Sequence, residues 1–573
     1  MSLSFGAISE LPIAAVRDSE ELPFAGRATV SALATGTPSL VRVSSGAATV
    51  SASAVGTMRV IVLASGDAII EISAAGTPNF VLYAANREFI SRNTDQVANQ
   101  PILGTLERNI QFDHSIVGQN GFDAVTLGWG EITLINADGY YDFVIRRYVA
   151  GRRVVLKMGI EGAAYDDYFI VFDGVASGVH VEKGVVRVYL RDGTYKLETP
   201  AQSTVYGGTG GLDGTEELRG KRAPRAFGYC RNVRPAFVSP TLKLFQVHDG
   251  SVQAISAVYS MGKAVTFDQD YADAAALMAA SVPSGRYATC IAAGLFRVNF
   301  ILEGDITADV EGDKADGVFA STSADIVKRL LQGVAGVAVP GDLDVFSFNT
   351  VNALQPAPIG YYLDEASEAK IADVIADIMG KIGGYGGFQR EGKFEVQLFR
   401  APSGVPSARY DRTDIIDIKR EKLPDGISPP PYRYRVAWGR NYFVQTGAGV
   451  AGDVSDDRRA FLEQQYRLAS SLDADSAQII SDYPQAQDPS VVEGYFRDEA
   501  DAAAEAQRLL NLYGKSSFSL YRITLKQRPF VHRIGDLVMV TYPRWDLIDG
   551  RLLRVVSISE RFETNEVEIM GFG

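Results

Sequence analysis

RIGDLVMVTYPRWDLIDGRLLRVVSISERFETNEVEIMGFG, Arg533 to Gly573, closes a chain of 573 residues. Taken with the segment before it, it reads as the strands FSLYRITLKQ, GDLVMVTYP, GRLLRVVSISERF and NEVEIMGFG, broken at Arg533-Ile534-Gly535 and Asp549-Gly550. Val, Ile, Leu and Tyr fill the strands, and Gly supplies the turns between them. Four strands in about fifty-five residues with tight turns make a small barrel or an open sandwich.

The same signals fill Ile102 to Pro200, in EITLINADGYYDFVIRRYV, RRVVLKMGI and DYFIVFDGVASGVHVEKGVVRVYLRDG. Val186, Val188 and Leu190 alternate there with Val185, Arg187 and Tyr189, so one face is wholly apolar and must be buried. Asn136-Ala137-Asp138-Gly139 and Arg191-Asp192-Gly193 read as turns. Helices are few. In DEASEAKIADVIADIMGKIGG, Ile371, Val374, Ile375, Ile378, Met379 and Ile382 follow helical spacing up to Gly383. A second helix runs from Asp498, as N-cap, to Leu512, with Ala502, Ala506, Leu509 and Leu510 on one stripe and Gly514 past its end. Shorter helices are expected at Ser323 to Gln332 and Tyr271 to Ala280.

Residues 31–90 repeat with a period of 20: SALATGTPSLVRVSSGAATV, SASAVGTMRVIVLASGDAII, EISAAGTPNFVLYAANREFI. Gly36-Thr37, Gly56-Thr57 and Gly76-Thr77 mark one set of turns and Ser45-Gly46 and Ser65-Gly66 another, which predicts a β meander or small sandwich. The expected class is therefore mainly β with inserted helices (α+β). Its parts are an N-terminal β domain (1–95), a first β-barrel (96–205), a Gly-rich loop with an inserted α/β piece returning to that barrel (206–315), a helix-containing insertion (316–400) and a second barrel (401–573).

The balance of 69 Asp and Glu against 56 Lys and Arg, −13 overall, argues against a dedicated phosphate-backbone binder and against an anionic membrane surface. Cys230 and Cys290 are too few for a disulfide framework or a zinc or iron–sulfur site, and no cofactor or metal is expected. The opening MSLSFGAISELP lacks the basic and apolar regions of a secretory signal. The longest uncharged stretch, Val345 to Leu363, carries Asn349, Asn352, Gln355, Pro356 and Pro358, so no membrane span is expected.

Catalytic motifs do not emerge. His114, His180, His248 and His532 are scattered without metal spacing, and Asp113-His114 and His248-Asp249 are expected at the surface or in turns, since neighbours on a strand face opposite ways. In Gly174-Val175-Ala176-Ser177-Gly178 one residue too many precedes the Ser for a nucleophile elbow. The cluster GGTGGLDGTEELRGKRAPRAFG fails as a Walker loop, with Thr215 where Gly is needed and Arg222 after Lys221, and as a dinucleotide loop, with Asp213 at the third Gly. Its Gly207, Gly208, Gly210, Gly211 and Gly214, with the basic Arg219, Lys221, Arg222 and Arg225, instead suggest an extended loop between subunits or domains, with anion binding as the alternative. In YRYRVAWGRNYFV, Tyr432, Tyr434, Val436 and Trp438 share one face and Arg433 and Arg435 the other, as in a half-buried strand rather than a stacking platform for single-stranded nucleic acid. A glycosidase carboxylate pair leaves no linear signature.

Several stretches resemble the tail hub (baseplate hub) proteins of long-tailed bacteriophages of the siphophage type: LINADGYYDFV (134–144), GGTGGLDGTEELRGKRAPRAFGYCRNVRP (207–235), LFQVHDG (244–250), VPSGRYAT with GLFRVNF (282–300), GDITADVEGD (304–313) and the closing segment. The resemblance implies a non-enzymatic virion protein of the tail tip, assembled in the host cytoplasm. It implies a homotrimeric ring in which each chain gives two related β-barrels, docking on the hexameric distal tail ring. Tape-measure protein and DNA would pass through the channel, which an acidic wall keeps non-sticky. Other tail-tip or fibre proteins are the remaining partners, and the repeat before residue 91 has no counterpart in the resemblance. The clustered cysteines of some related hubs have no match in Cys230 and Cys290. A receptor-binding tail protein and a β-sandwich carbohydrate-active enzyme are the alternatives.

Overall fold

The computed structural model describes residues 81–573 except 108–109, 119–120, 123–125, 129, 147–148, 161, 335, 515–517 and 528; before residue 81 it describes the backbone of five short strands. The fold is mostly β with a few helices, in several sheets that include two half-barrels.

The first half-barrel orders its strands Glu131–Asn136, Gly184–Arg191, Phe169–Glu182, Arg153–Met158 and Ile61–Leu63. Val186 and Val188 are fully buried and Leu190 nearly so, which places the wholly apolar face of GVVRVYLRDG in the core beside Val154, Leu156, Val171 and Phe172. The eight-stranded half-barrel follows the order Thr126–Gly128, Gln111–Ser115, Arg551–Arg561, Glu566–Phe572, Leu520–Lys526 and Ile415–Glu421, with Leu537–Val540 joining Arg551–Arg561 to Ala408–Tyr410. The strands read in the closing sequence are all there. The sheet also takes two strands from residues 111–128, because Arg551–Arg561 is long enough to pair with Leu537–Val540 at its start and Gln111–Ser115 at its end.

Three expectations are corrected. Ala28–Leu33 pairs with Ala48–Ser53 in parallel, Ala28 opposite Ala48 and Val30 opposite Val50. That offset is one period of the repeat, and parallel stacking of successive repeats is the geometry of a solenoid, whereas a meander pairs its neighbours antiparallel. The turns expected within the repeat lie outside the described residues. Second, Ile306–Asp313 does not return to the first barrel; it pairs with Val252–Ser260 and Arg225–Val233 in a separate sheet, beside which Arg286–Cys290 and Leu295–Val298 form another. Third, residues 434–510 leave the terminal barrel: Tyr434, Val436, Phe496, Ala502, Ala506 and Leu509 share a core with Ile326, Leu330, Val374, Ile378 and Phe394.

That core is the helical unit. Thr322 caps Ser323–Gln332 through its side chain, and Ile371–Lys381 buries Ile371, Val374, Ile375, Ile378 and Met379 before the chain turns at Gly383, whose φ is +61°. Glu499–Leu509 follows Asp498 as expected and continues in a wide turn to Gly514. Val345–Leu354, Asp456–Leu462 and Asp473–Asp482 are further helices that the sequence pattern did not announce. No helix among the described residues is long and apolar enough to cross a membrane.

Candidate functional site

The Gly-rich segment is a closed lobe rather than an extended strap. The Asp213 carboxylate accepts from the Gly207 amide at 2.8 Å and from the Thr209 amide and hydroxyl at 3.2 and 2.6 Å. Those bonds hold its carboxyl below the usual carboxylate range. The Gly208 amide reaches the Asp213 carbonyl and the Gly210 amide the Gly214 carbonyl, a tight path that needs the φ of +99° at Gly210 and +79° at Gly214. Gly211 sits at its exposed tip. At the base, Tyr206 and Leu218 pack on Ala236 and Val238, and the Tyr206 and Lys221 backbones close the lobe.

The cations that the alternative of anion binding would need together are dispersed. Arg219 donates to the Gly207 carbonyl and pairs with Glu216 at 2.7 Å, while Arg222 donates to the Gln202 carbonyl. Lys221 is exposed, and Arg225 belongs to the core of the molecule. Its guanidinium lies 3.6 Å from Asp313, which also receives Arg329 Nε at 3.0 Å, His248 Nε2 at 3.4 Å and the Ala315 amide at 3.1 Å. His248 Nδ1 accepts from the Ala226 amide, so the ring is neutral with its proton on Nε2, and burial pushes its pKa down. Burial works against ionisation of Asp313, but the hydrogen bonds from His248 and Ala315 and the charge of Arg329 overcome it and hold the carboxyl below its ordinary value. One anion thus ties the Arg225–Val233 and Ile306–Asp313 strands to the Ser323–Gln332 helix.

A second charge cluster joins the half-barrels. Arg390, at the tip of the Gly384–Leu398 hairpin, gives Nη1 to Glu560 at 3.1 Å and Nη2 to the Phe530 carbonyl, and its own carbonyl accepts from the Asp173 amide. Phe112 packs between Phe172 and Phe530 at 5.7 and 5.5 Å. His114 lies beside them; burial, with the charge of Arg390, pushes its pKa down to about 4. Burial raises the carboxyls of Glu395 and Glu560. These groups and His532 line a cavity of about 40 Å³. It has room for water but falls far below the roughly 300 to 1,000 Å³ of small-molecule sites, so this carboxylate pair is no sugar cleft.

The expectation that Asp113-His114 and His248-Asp249 lie at the surface or in turns is therefore corrected for His248, 1% exposed, and for the half-buried His114; His532 is likewise 1% exposed, and His180 is exposed, 3.2 Å from Glu182. His114 lies on the strand Gln111–Ser115 and His248 in the bend after Leu244–Gln246, and other parts of the chain cover both. In YRYRVAWGRNYFV, Val436 is fully buried while Arg433 and Arg435 both reach Asp488, though Arg433 also lies 5.4 Å over the Tyr432 ring.

No family model and no curated protein matches the sequence. Solved structures do. A tail protein from Neisseria meningitidis MC58 is similar at 10% identity and a TM-score of 0.35, over 82% of this chain and 95% of that one. The 43 kDa tail protein of prophage MuSo2 from Shewanella oneidensis is similar at 10% identity and a TM-score of 0.34, over 83% and 96%. A prophage tail protein from Listeria monocytogenes EGD-e is similar at 8% identity and a TM-score of 0.35, over 83% and 91%.

The residues that hold the parts together, Asp313, Arg329, Arg390 and Glu560, were not singled out in the sequence. Asp313 ends the run GDITADVEGD, where an acidic residue closes an apolar strand; nothing local marks Arg390 or Glu560, whose meaning lies in each other.

Proposed function

We propose that the chain is a non-enzymatic structural subunit of the tail tip of a long-tailed phage, and that three copies close into a ring around a channel. The observation that carries this is the presence of two half-barrels in one polypeptide, one built on residues 131–191 and one whose strands come from 111–128, 408–421 and 520–572. Three copies then present six β-modules, which lets a threefold tip match a sixfold tail ring. The strand Ile415–Glu421 ends the order of the larger sheet, an edge that a neighbouring copy can cover. The Gly-rich lobe, with Arg219 and Lys221 outward, serves as the contact between subunits, and the period-20 repeat docks a fibre or another tail-tip protein. The net charge of −13 suits a passage for tape-measure protein and DNA that does not retain them.

Native mass spectrometry of the purified chain, with imaging of assembled tail tips, tests this. The expected particle is three times 61.9 kDa with an axial opening. A chain that stays monomeric at assembly concentrations, and sits off the axis in the virion, refutes it.

A further inference from the structure

A recess of about 310 Å³ opens where the strand Arg435–Trp438 and its neighbour Arg467–Ser470 meet the helix Asp456–Leu462 and Arg231. It is lined by Arg231, Arg458 and Arg467, with Asp457 the acidic residue among them and Trp438 and Phe461 giving apolar wall. Three positive charges less one leave +2, in a chain whose balance is −13. Among the described residues no ion pair holds any of the three guanidiniums. Arg458 donates to Asn232 at 3.2 Å and lies 3.8 Å over the Tyr259 ring, leaving its Nε without an acceptor. Trp438 Nε1 is likewise buried without one. Both donors belong to residues that line this arginine-rich recess.

We propose that this recess binds a sugar-sized phosphate ester. A phosphate dianion matches the local +2, and its three terminal oxygens can accept from several guanidiniums at once, where a carboxylate offers two. The volume stands at the lower end of small-molecule sites, roughly 300 to 1,000 Å³, enough for one ring beside the anion. Single-stranded nucleic acid fits less well, because the aromatic faces are already covered: Arg467 lies over Trp438 at 5.5 Å and Arg458 over Tyr259. The inference stands apart from the tail-tip reading.

Calorimetric titration of the full chain with glucose 1-phosphate, inorganic phosphate, glucose and a single-stranded oligonucleotide tests it. The sugar phosphate should bind saturably and more tightly than inorganic phosphate, with no binding of glucose. Arg231→Gln and Arg467→Gln should each weaken it about tenfold or more, as expected for a charge-assisted bond. Arg467 is exposed, so its variant should fold whatever happens to the others. Absence of saturable binding overturns the proposal, as does equal binding of glucose and its phosphate, no preference over inorganic phosphate, binding of the oligonucleotide alone, or unchanged affinity in variants that melt like the parent.

Discussion

Replacing Asp313 by Asn keeps its volume and removes the one buried charge that faces Arg225, Arg329 and His248. The Arg329 and Arg225 side chains are only 9% and 16% exposed, so water cannot take over. Breaking a buried ion pair from one side costs about 3 to 5 kcal/mol. The lower figure applies here, because Arg329 keeps the Val318 carbonyl at 2.9 Å and Arg225 keeps that of Ala201 at 3.0 Å. About 3 kcal/mol corresponds to roughly a 100-fold change in a local opening equilibrium. A chain with several cores does not unfold in one step, so the assay is amide hydrogen exchange read segment by segment. Protection should fall about 100-fold in Ile306–Asp313 and Ser323–Gln332 and stay unchanged in the terminal half-barrel. Asp316→Asn, whose side chain is 83% exposed although it lies 3.6 Å from Arg329, should change protection by less than about threefold. Because the Asp313 carboxyl is held below its ordinary value of 3.8, its contribution is present above that value and lost as pH falls below it. Asp313→Asn with protection equal to the parent's would refute this account of how the insertion is fastened.

Three further outcomes follow from the geometry. His114 titrates near 4 in the fold against 6.5 unfolded, so stability where Gln111–Ser115 meets Arg551–Arg561 should be full above 6.5 and decline, by at most about 3 kcal/mol, as pH falls to 4; His114→Leu should flatten that decline in exchange measured against pH. Gly228→Ala should cost at least about 3 kcal/mol, seen as a lowered melting temperature, since its Cβ would stand 1.9 Å from the Ile359 carbonyl oxygen at a φ of +61°. Asp213→Ala should open the Gly-rich lobe and speed proteolysis between residues 207 and 214 in the unassembled chain; parent-like cleavage would show that Asp213 does not hold it shut.

Local pattern was enough wherever one element's own side chains select its structure. The alternation through Val186, Val188 and Leu190 fixed a strand and its buried face, and the spacing from Ile371 to Met379 fixed a helix and its stripe. In the strand Arg435–Trp438 the Val436 side chain likewise turned to the core and Arg435 to Asp488. Pattern failed for Val345–Leu354, whose apolar residues surround the helix and so give no stripe, with Phe346 left 78% exposed and Phe348 buried. It failed also for His114, because a strand residue can be covered by segments hundreds of positions away, as His114 is by Arg390 and Ile558.

The sequence by itself determined that this is a chain of β-modules with punctuated helices, where strands fall in residues 102–200 and in the closing segment, and that the N-terminal segment repeats every 20 residues. Only the tertiary structure decided that the repeat pairs in parallel, that Ile306–Asp313 belongs to the inserted sheet, and that strands from residues 111–128 complete the terminal half-barrel. Period and propensity act within a few residues, whereas the choice of partner strand and the meeting of Asp313 with Arg329, or Arg390 with Glu560, depend on burying faces and charges far apart in the chain.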